Sequence, residues 1–261
     1  MIARVVLGLL VVGAPAAAQR LGARIAAIPA GTVHFTFRAR PGVCGSGRSV
    51  FTREGRHADT WERGARDSEV AYDCEPGPVR VSLTVRHATV QAVRTYVGGR
   101  WVSPPPGVAM TDLGAVAPRD AVDFLLAFAA RDSGPAGQEA ILPATLADSV
   151  TVWPALLGLA RNERVSRRSR RQAVFWLGQA AEDAATGGLV DLMSDAAADR
   201  DLKEQAVFAL SQRPRDEGIP ALIRLARSHP DRAVRRQAMF WLGQSDDARA
   251  VALFEELLTA P

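Results

Sequence analysis

The octapeptide QAVFWLGQ at residues 172–179 returns as QAVFALSQ at 205–212 and as QAMFWLGQ at 237–244. Successive copies begin 33 and then 32 residues apart. Self-similarity at such a period is the signature of an α-solenoid, in which one supersecondary unit stacks on the next because it cannot bury its apolar face alone. That architecture favours an extended binding surface over a single catalytic pocket.

Each octapeptide is expected on the second helix of a helix pair. The first helices run through Trp153–Leu157, Leu189–Met193, Ile219–Ile223 and Val251–Leu258. Asp199, Asp231 and Asp246 are candidate N-caps, because a short acceptor side chain satisfies amides that the first turn leaves open. Gly178 and Gly243 stand where a left-handed residue commonly ends a helix, with Ser211 at the equivalent third place. Phe175, Trp176, Phe208, Phe240 and Trp241 fall on a helical face and read as inter-repeat core. The glutamine series 172, 205, 237 and 179, 212, 244 reads as an amide ladder that satisfies backbone groups at turns.

The N-terminal half has another grammar. Thr32–Phe37 alternates with Val33, Phe35 and Phe37 on one side, and Val79, Val81, Leu83 and Val85 share a face of a second strand. Ser49–Thr52 is a shorter candidate, Pro41–Arg48 a glycine-rich loop, and Val90–Val97 returns after a turn at His87–Thr89. Ser103–Gly107 contains three consecutive prolines, which neither feed a sheet nor permit helix before them. Past it, Pro118–Arg131 shows a 3.6-residue stripe of Val122, Leu125, Leu126 and Ala129. The expected fold is α+β in two regions, a small disulfide-linked antiparallel β module followed by an all-α solenoid. The divisions are a leader at 1–18, a β-rich module at 19–102, a proline-rich linker and helix at 103–139, and the solenoid at 140–261.

The leader has Arg4, then the apolar run Val5–Gly13, then Ala14–Ala18 with an A-x-A pattern before Gln19. That is the grammar of a secretory signal peptide cleaved between Ala18 and Gln19. The expectation is an exported protein, periplasmic or secreted, without a membrane span once the leader is removed. The only two cysteines, Cys44 and Cys74, fit an oxidising compartment and are expected to form a disulfide.

Charge argues against a nucleic-acid partner. The formal net charge is +4; residues 147–261 carry 16 basic and 16 acidic side chains, and 19–146 carry 15 Arg against 12 acids. Nucleic-acid binders concentrate charge on one element or face, and no global excess of that kind is present.

With these residues in view, the QAVFWLGQ unit, its period and the IPALIRLA helix at 219–226 resemble bacterial HEAT repeats of the short type also seen in phycobilisome lyases. The resemblance covers roughly 140–261. The whole chain resembles exported HEAT-repeat domain-containing proteins of bacteria. It implies a binding scaffold and supplies no catalytic residue.

The candidate partner site lies just upstream of the octapeptides. Arg170, Lys203 and Arg235 are repeat equivalents, and Arg167, Arg168, Arg171 and Arg236 thicken the patch. Stacking would align them into a basic strip able to bind an acidic polymer or an acidic protein surface; the plainer reading is a solvated face balanced by Asp199, Asp201, Glu204 and Asp231. No G-x-S-x-G, Walker or H-E-x-x-H pattern occurs. His34, His57 and His87 are unspaced, His229 precedes Pro230 in a loop, and Asp67, Glu69, Asp73 and Glu75 read as a solvated loop around Cys74. The resulting expectation is a non-enzymatic interaction scaffold with a protein partner and no cofactor or metal. The alternatives are a lyase- or chaperone-like protein that holds a ligand, and a β module that binds a cell-wall or extracellular ligand.

Overall fold

The computed structural model describes residues 16–47, 49–52, 74–101, 104, 106–180 and 182–259. The expected leader lies outside them except for Ala16–Ala18, which open helix α1 (Ala16–Ala26). His57, Asp67, Glu69 and Asp73 also lie outside. An N-terminal β region is followed by a C-terminal helical repeat region.

Strand β1 (Ala30–Phe37) is the centre of the main sheet. It pairs antiparallel with β5 (Val79–Arg86), which pairs antiparallel with β6 (Thr89–Tyr96). On its other side β1 runs parallel to β7 (Met110–Ala115), giving the order β6-β5-β1-β7. β7 arises inside the segment expected as linker, where MTDLGA carries too little alternation to announce a strand. The alternation of β1 and β5 does its expected work: Val33, Phe35, Phe37, Val79, Val81, Leu83 and Val85 are all buried. They pack under α1 and α2 (Pro118–Arg131), with Phe35 edge-on to Phe124 at 6.3 Å between ring centroids.

A second sheet corrects the glycine-rich loop reading. Val43–Ser46 is strand β2, flanked by β3 (Ser49–Thr52) and the short β4 (Glu75–Pro76). VCGS lacks period-2 alternation, which hid it. Because β2 pairs Cys44 with Pro76, Cys74 arrives beside it, and the Cys44–Cys74 disulfide closes at a Cα separation of 5.1 Å. Reduction should lower the unfolding free energy by about 3.6 kcal/mol, the chain-entropy value for a loop of this size. Urea unfolding with and without reductant measures it.

Two short helices, α3 (Pro135–Glu139) and α4 (Ile141–Thr145), carry the chain into the stack. The first-layer helices are α5 (Trp153–Arg161), α7 (Ala184–Ser194), α9 (Arg215–Ser228) and α11 (Ala248–Thr259). The second-layer helices α6 (Arg167–Gly178), α8 (Arg200–Ser211) and α10 (Arg232–Gly243) carry the octapeptides. Each layer packs on itself, α5 on α7 on α9 on α11 and α6 on α8 on α10. One hydrophobic cluster runs from the sheet through α2 and the stack.

Three local readings change. Asp199 and Asp231 cap their helices, accepting from Leu202 and Ala233 amides, but at α11 the acceptor is Asp247, which takes the Arg249 amide at 3.0 Å. Asp246 instead holds φ of 48° in the preceding turn. Neither Gly178 nor Gly243 is left-handed: the helices close with tight bonds such as Gln179 N–H to Trp176 O at 3.2 Å. Gly178 serves close approach, since a Cβ there would lie 2.9 Å from Ala209 O. That contact explains the missing tryptophan of the middle repeat, because an indole at 209 would occupy the space in which α6 meets α8. The glutamines form no repeat-to-repeat ladder among the described residues; Gln172 accepts from Gln138 at 3.1 Å.

Candidate partner-binding surface

The second-layer helices bring the predicted cations together and then divide them into two kinds. Arg170 is only 8% exposed; its Nε donates to Ala160 O at 2.9 Å, and a terminal nitrogen lies 3.4 Å from Asp199. Arg235, its repeat equivalent two units on, donates to His229 O at 2.6 Å and Pro230 O at 3.0 Å. Each therefore ties the end of its own first-layer helix, where carbonyls lack helical partners and the dipole favours a cation. Lys203 occupies the same column half-buried, and its charge is among the causes that hold Asp231 below its ordinary value, the first being the Ala233 amide.

The remaining cations face solvent. Arg167 reaches Asp201 at 3.3 Å and Asp199 at 4.0 Å. Arg168, Arg171 and Arg236 are exposed and make no ion pair among the described residues. The middle repeat places Asp201 where α6 has Arg168, and Glu204 where α6 has Arg171 and α10 has Arg236. Glu204 pairs with Arg200 at 2.8 Å. The exposed face thus carries unpaired arginines on α6 and α10, with a charge-balanced middle repeat between them.

Sequence reasoning missed the column Arg167, Arg200 and Arg232, all exposed first residues of their helices. The same octapeptide register would have found it. It also missed Arg213, buried at 4% exposure, which clamps the first repeat to the second. Its guanidinium donates to the Ala180 and Glu182 carbonyls and to Thr186 at 2.8 Å, and pairs with Glu217 at 2.7 Å. No column announces Arg213, because its repeat equivalents are Ala180 and Ser245.

This stacked geometry is where the comparison with known families falls. Residues 188–261 match the family model for HEAT repeats. No curated protein matches the chain. HEAT repeats are in general protein-interaction scaffolds, and the match takes in α8 to α11 entire. Along α8 to α11 the large apolar side chains left outside are Phe240 and Val251, each 53% exposed, Leu257 at 44% and Leu258 at 85%.

The β module holds a different polar cluster. His34 faces away from the apolar layer and is 5% exposed, stacked on Trp101 at 3.9 Å, and the Arg80 guanidinium lies over the Trp101 ring at 5.2 Å. Ser82 and Asp112 flank it on the neighbouring strands. Burial pulls the His34 imidazole below its ordinary value of 6.5, and Asp112 opposes the shift. The folded state therefore favours neutral His34, and the unfolded chain binds more protons below about pH 6.5, so stability falls on acidification through that range. His34→Gln should flatten the slope of melting temperature against pH between 7.5 and 5. His229 is also buried, its Nδ1 accepting the Asp231 amide at 3.1 Å. Glu75 accepts the Gly99 amide at 2.7 Å. No group of three or more metal-ligating side chains gathers among the described residues, nor is any helix there long and apolar enough to cross a membrane.

Proposed function

We propose that the chain is an exported, non-enzymatic scaffold whose repeat face binds a protein partner. The observation that carries this reading is the patterned charge of the second-layer face, where unpaired Arg168 and Arg171 on α6 and Arg236 on α10 flank a middle repeat whose Asp201 and Glu204 are paired with Arg167 and Arg200. A nucleic acid or other uniform polyanion would find no net positive charge at the middle repeat, whereas a folded protein surface can match both signs at fixed spacing. Phe240, Val251 and Leu258 supply apolar anchors of the kind that dominate binding energy once desolvated.

Export rests on the sequence of the leader. It agrees with the Cys44–Cys74 disulfide, a bond that persists in oxidising compartments. The test is affinity capture from a periplasmic extract with the full chain and with the triple variant Arg168→Gln, Arg171→Gln, Arg236→Gln. A protein retained by the first and lost by the second supports the reading; equal retention by both refutes the placement of the site.

A further inference from the structure

A half-open cavity of about 460 Å³ lies where the β1–β2 turn, the 145–153 loop and the end of the first octapeptide helix meet. Its size falls within the range of about 300–1,000 Å³ that small-ligand sites occupy. Arg40 comes from the turn, Asp148 from the loop, Trp153 from the start of α5, Trp176 from the last turn of α6, and Gln179 and Glu182 from the segment after it.

The walls are held before any ligand arrives. Arg40 N–H donates to Leu146 O at 2.9 Å, and Asp148 N–H donates to Arg38 O at 3.0 Å. Ala39 and Ala147 form a β-bridge, and the Arg38–Asp148 ion pair closes at 2.5 Å. On the opposite wall the Glu182 carbonyl is fixed by Arg213 at 3.0 Å. Such preorganisation removes much of the ordering cost of binding.

The chemistry of the lining selects the ligand. Trp153 and Trp176 are half-buried, each leaving part of an indole at the cavity wall. Around them stand a donor (Arg40), acceptors (Asp148, Glu182) and an amide that does both (Gln179). Asp148 is neutralised by Arg38, and Arg40 lies in the field of Glu182. An anionic ligand would be opposed by Glu182. A ligand with many hydroxyls, each donor and acceptor, and apolar C–H faces meets every wall with a complementary group. We propose that this cavity binds a neutral oligosaccharide, its sugar faces against Trp153 and Trp176 and its hydroxyls on Gln179 and Glu182. The site stands independently of the protein-binding face.

The test is retention of the full chain on an array of immobilised neutral and acidic oligosaccharides, followed by titration with the best-retained neutral one. Trp153→Ala should weaken binding at least tenfold. Glu182→Gln, an exposed isosteric change that keeps the backbone contact to Arg213, should weaken it severalfold with an unchanged melting temperature. Should Trp153→Ala fail to fold, Glu182→Gln alone decides. Absence of any retained neutral oligosaccharide, retention confined to acidic ones, or affinity unchanged in Glu182→Gln overturns the proposal.

Discussion

Arg213→Ala should lower the unfolding free energy by about 3–5 kcal/mol, the cost of breaking a buried ion pair by removing one partner. The side chain of Arg213 is 1% exposed and that of Glu217 is 13% exposed. Losing the guanidinium strands the Ala180 and Glu182 carbonyls and removes the ion-pair partner of Glu217, a carboxylate to which the Thr186 hydroxyl also donates at 2.5 Å. Burial works to raise the Glu217 carboxyl, but hydrogen bonds from Thr186 and Arg213 outweigh it and hold the group below its ordinary value of 4.5. A depressed carboxyl stabilises the fold above its unfolded value and loses that contribution as pH falls through the folded one. Arg213→Ala should therefore also reduce the acid-side loss of stability below about pH 4.5. Arg213→Lys should not restore the wild-type value, since a single ammonium cannot reach carbonyls, hydroxyl and carboxylate together. Urea unfolding of the three proteins at pH 7 and pH 4 measures both effects.

Gly98→Ala should cost about 2–5 kcal/mol, the sum of about 1–2 for a left-handed alanine and about 1–3 for overpacking. Gly98 has φ of 58°, and a Cβ there would collide with Gly45 O and sit 2.8 Å from both the carbonyl oxygen and Cβ of Glu75. Backbone of β2 and β4 provides two of these three contacts, so no side-chain rotation relieves them. The comparison is Gly107→Ala, where φ is 85° and nothing among the described residues lies within 4 Å of the added carbon. That variant should lose only the backbone part, about 1–2 kcal/mol. Equal losses at the two positions would mean that close approach of the small sheet to the β6 end contributes nothing.

The repeat stack was legible because its register is written in nearly identical residues, and register alone places helices, first-layer partners and the caps at Asp199 and Asp231. Columns along a solenoid do not reveal which cation points into the stack. Arg170 and Arg235 share a column with an apparent surface strip but are spent on helix ends, whereas Arg168, Arg171 and Arg236 remain outside. β2 stayed hidden because Gly45 is demanded by the approach of Ser49 and Val97 backbones, and a glycine there erases the alternation that marks a strand. The cavity could not be read from sequence, since Arg40, Trp153 and Glu182 are brought together only by tertiary packing of segments more than 100 residues apart at their extremes.

The most direct measurement of partner recognition is the affinity of the captured protein for the full chain, titrated across salt concentration beside the Arg168→Gln, Arg171→Gln, Arg236→Gln variant. Exposed charges in an interface act through screened fields, so the wild-type affinity should fall with salt. The variant should bind at least tenfold more weakly at low salt and show a flatter salt dependence. Equal affinity and equal salt dependence in the two proteins would contradict recognition by the repeat face.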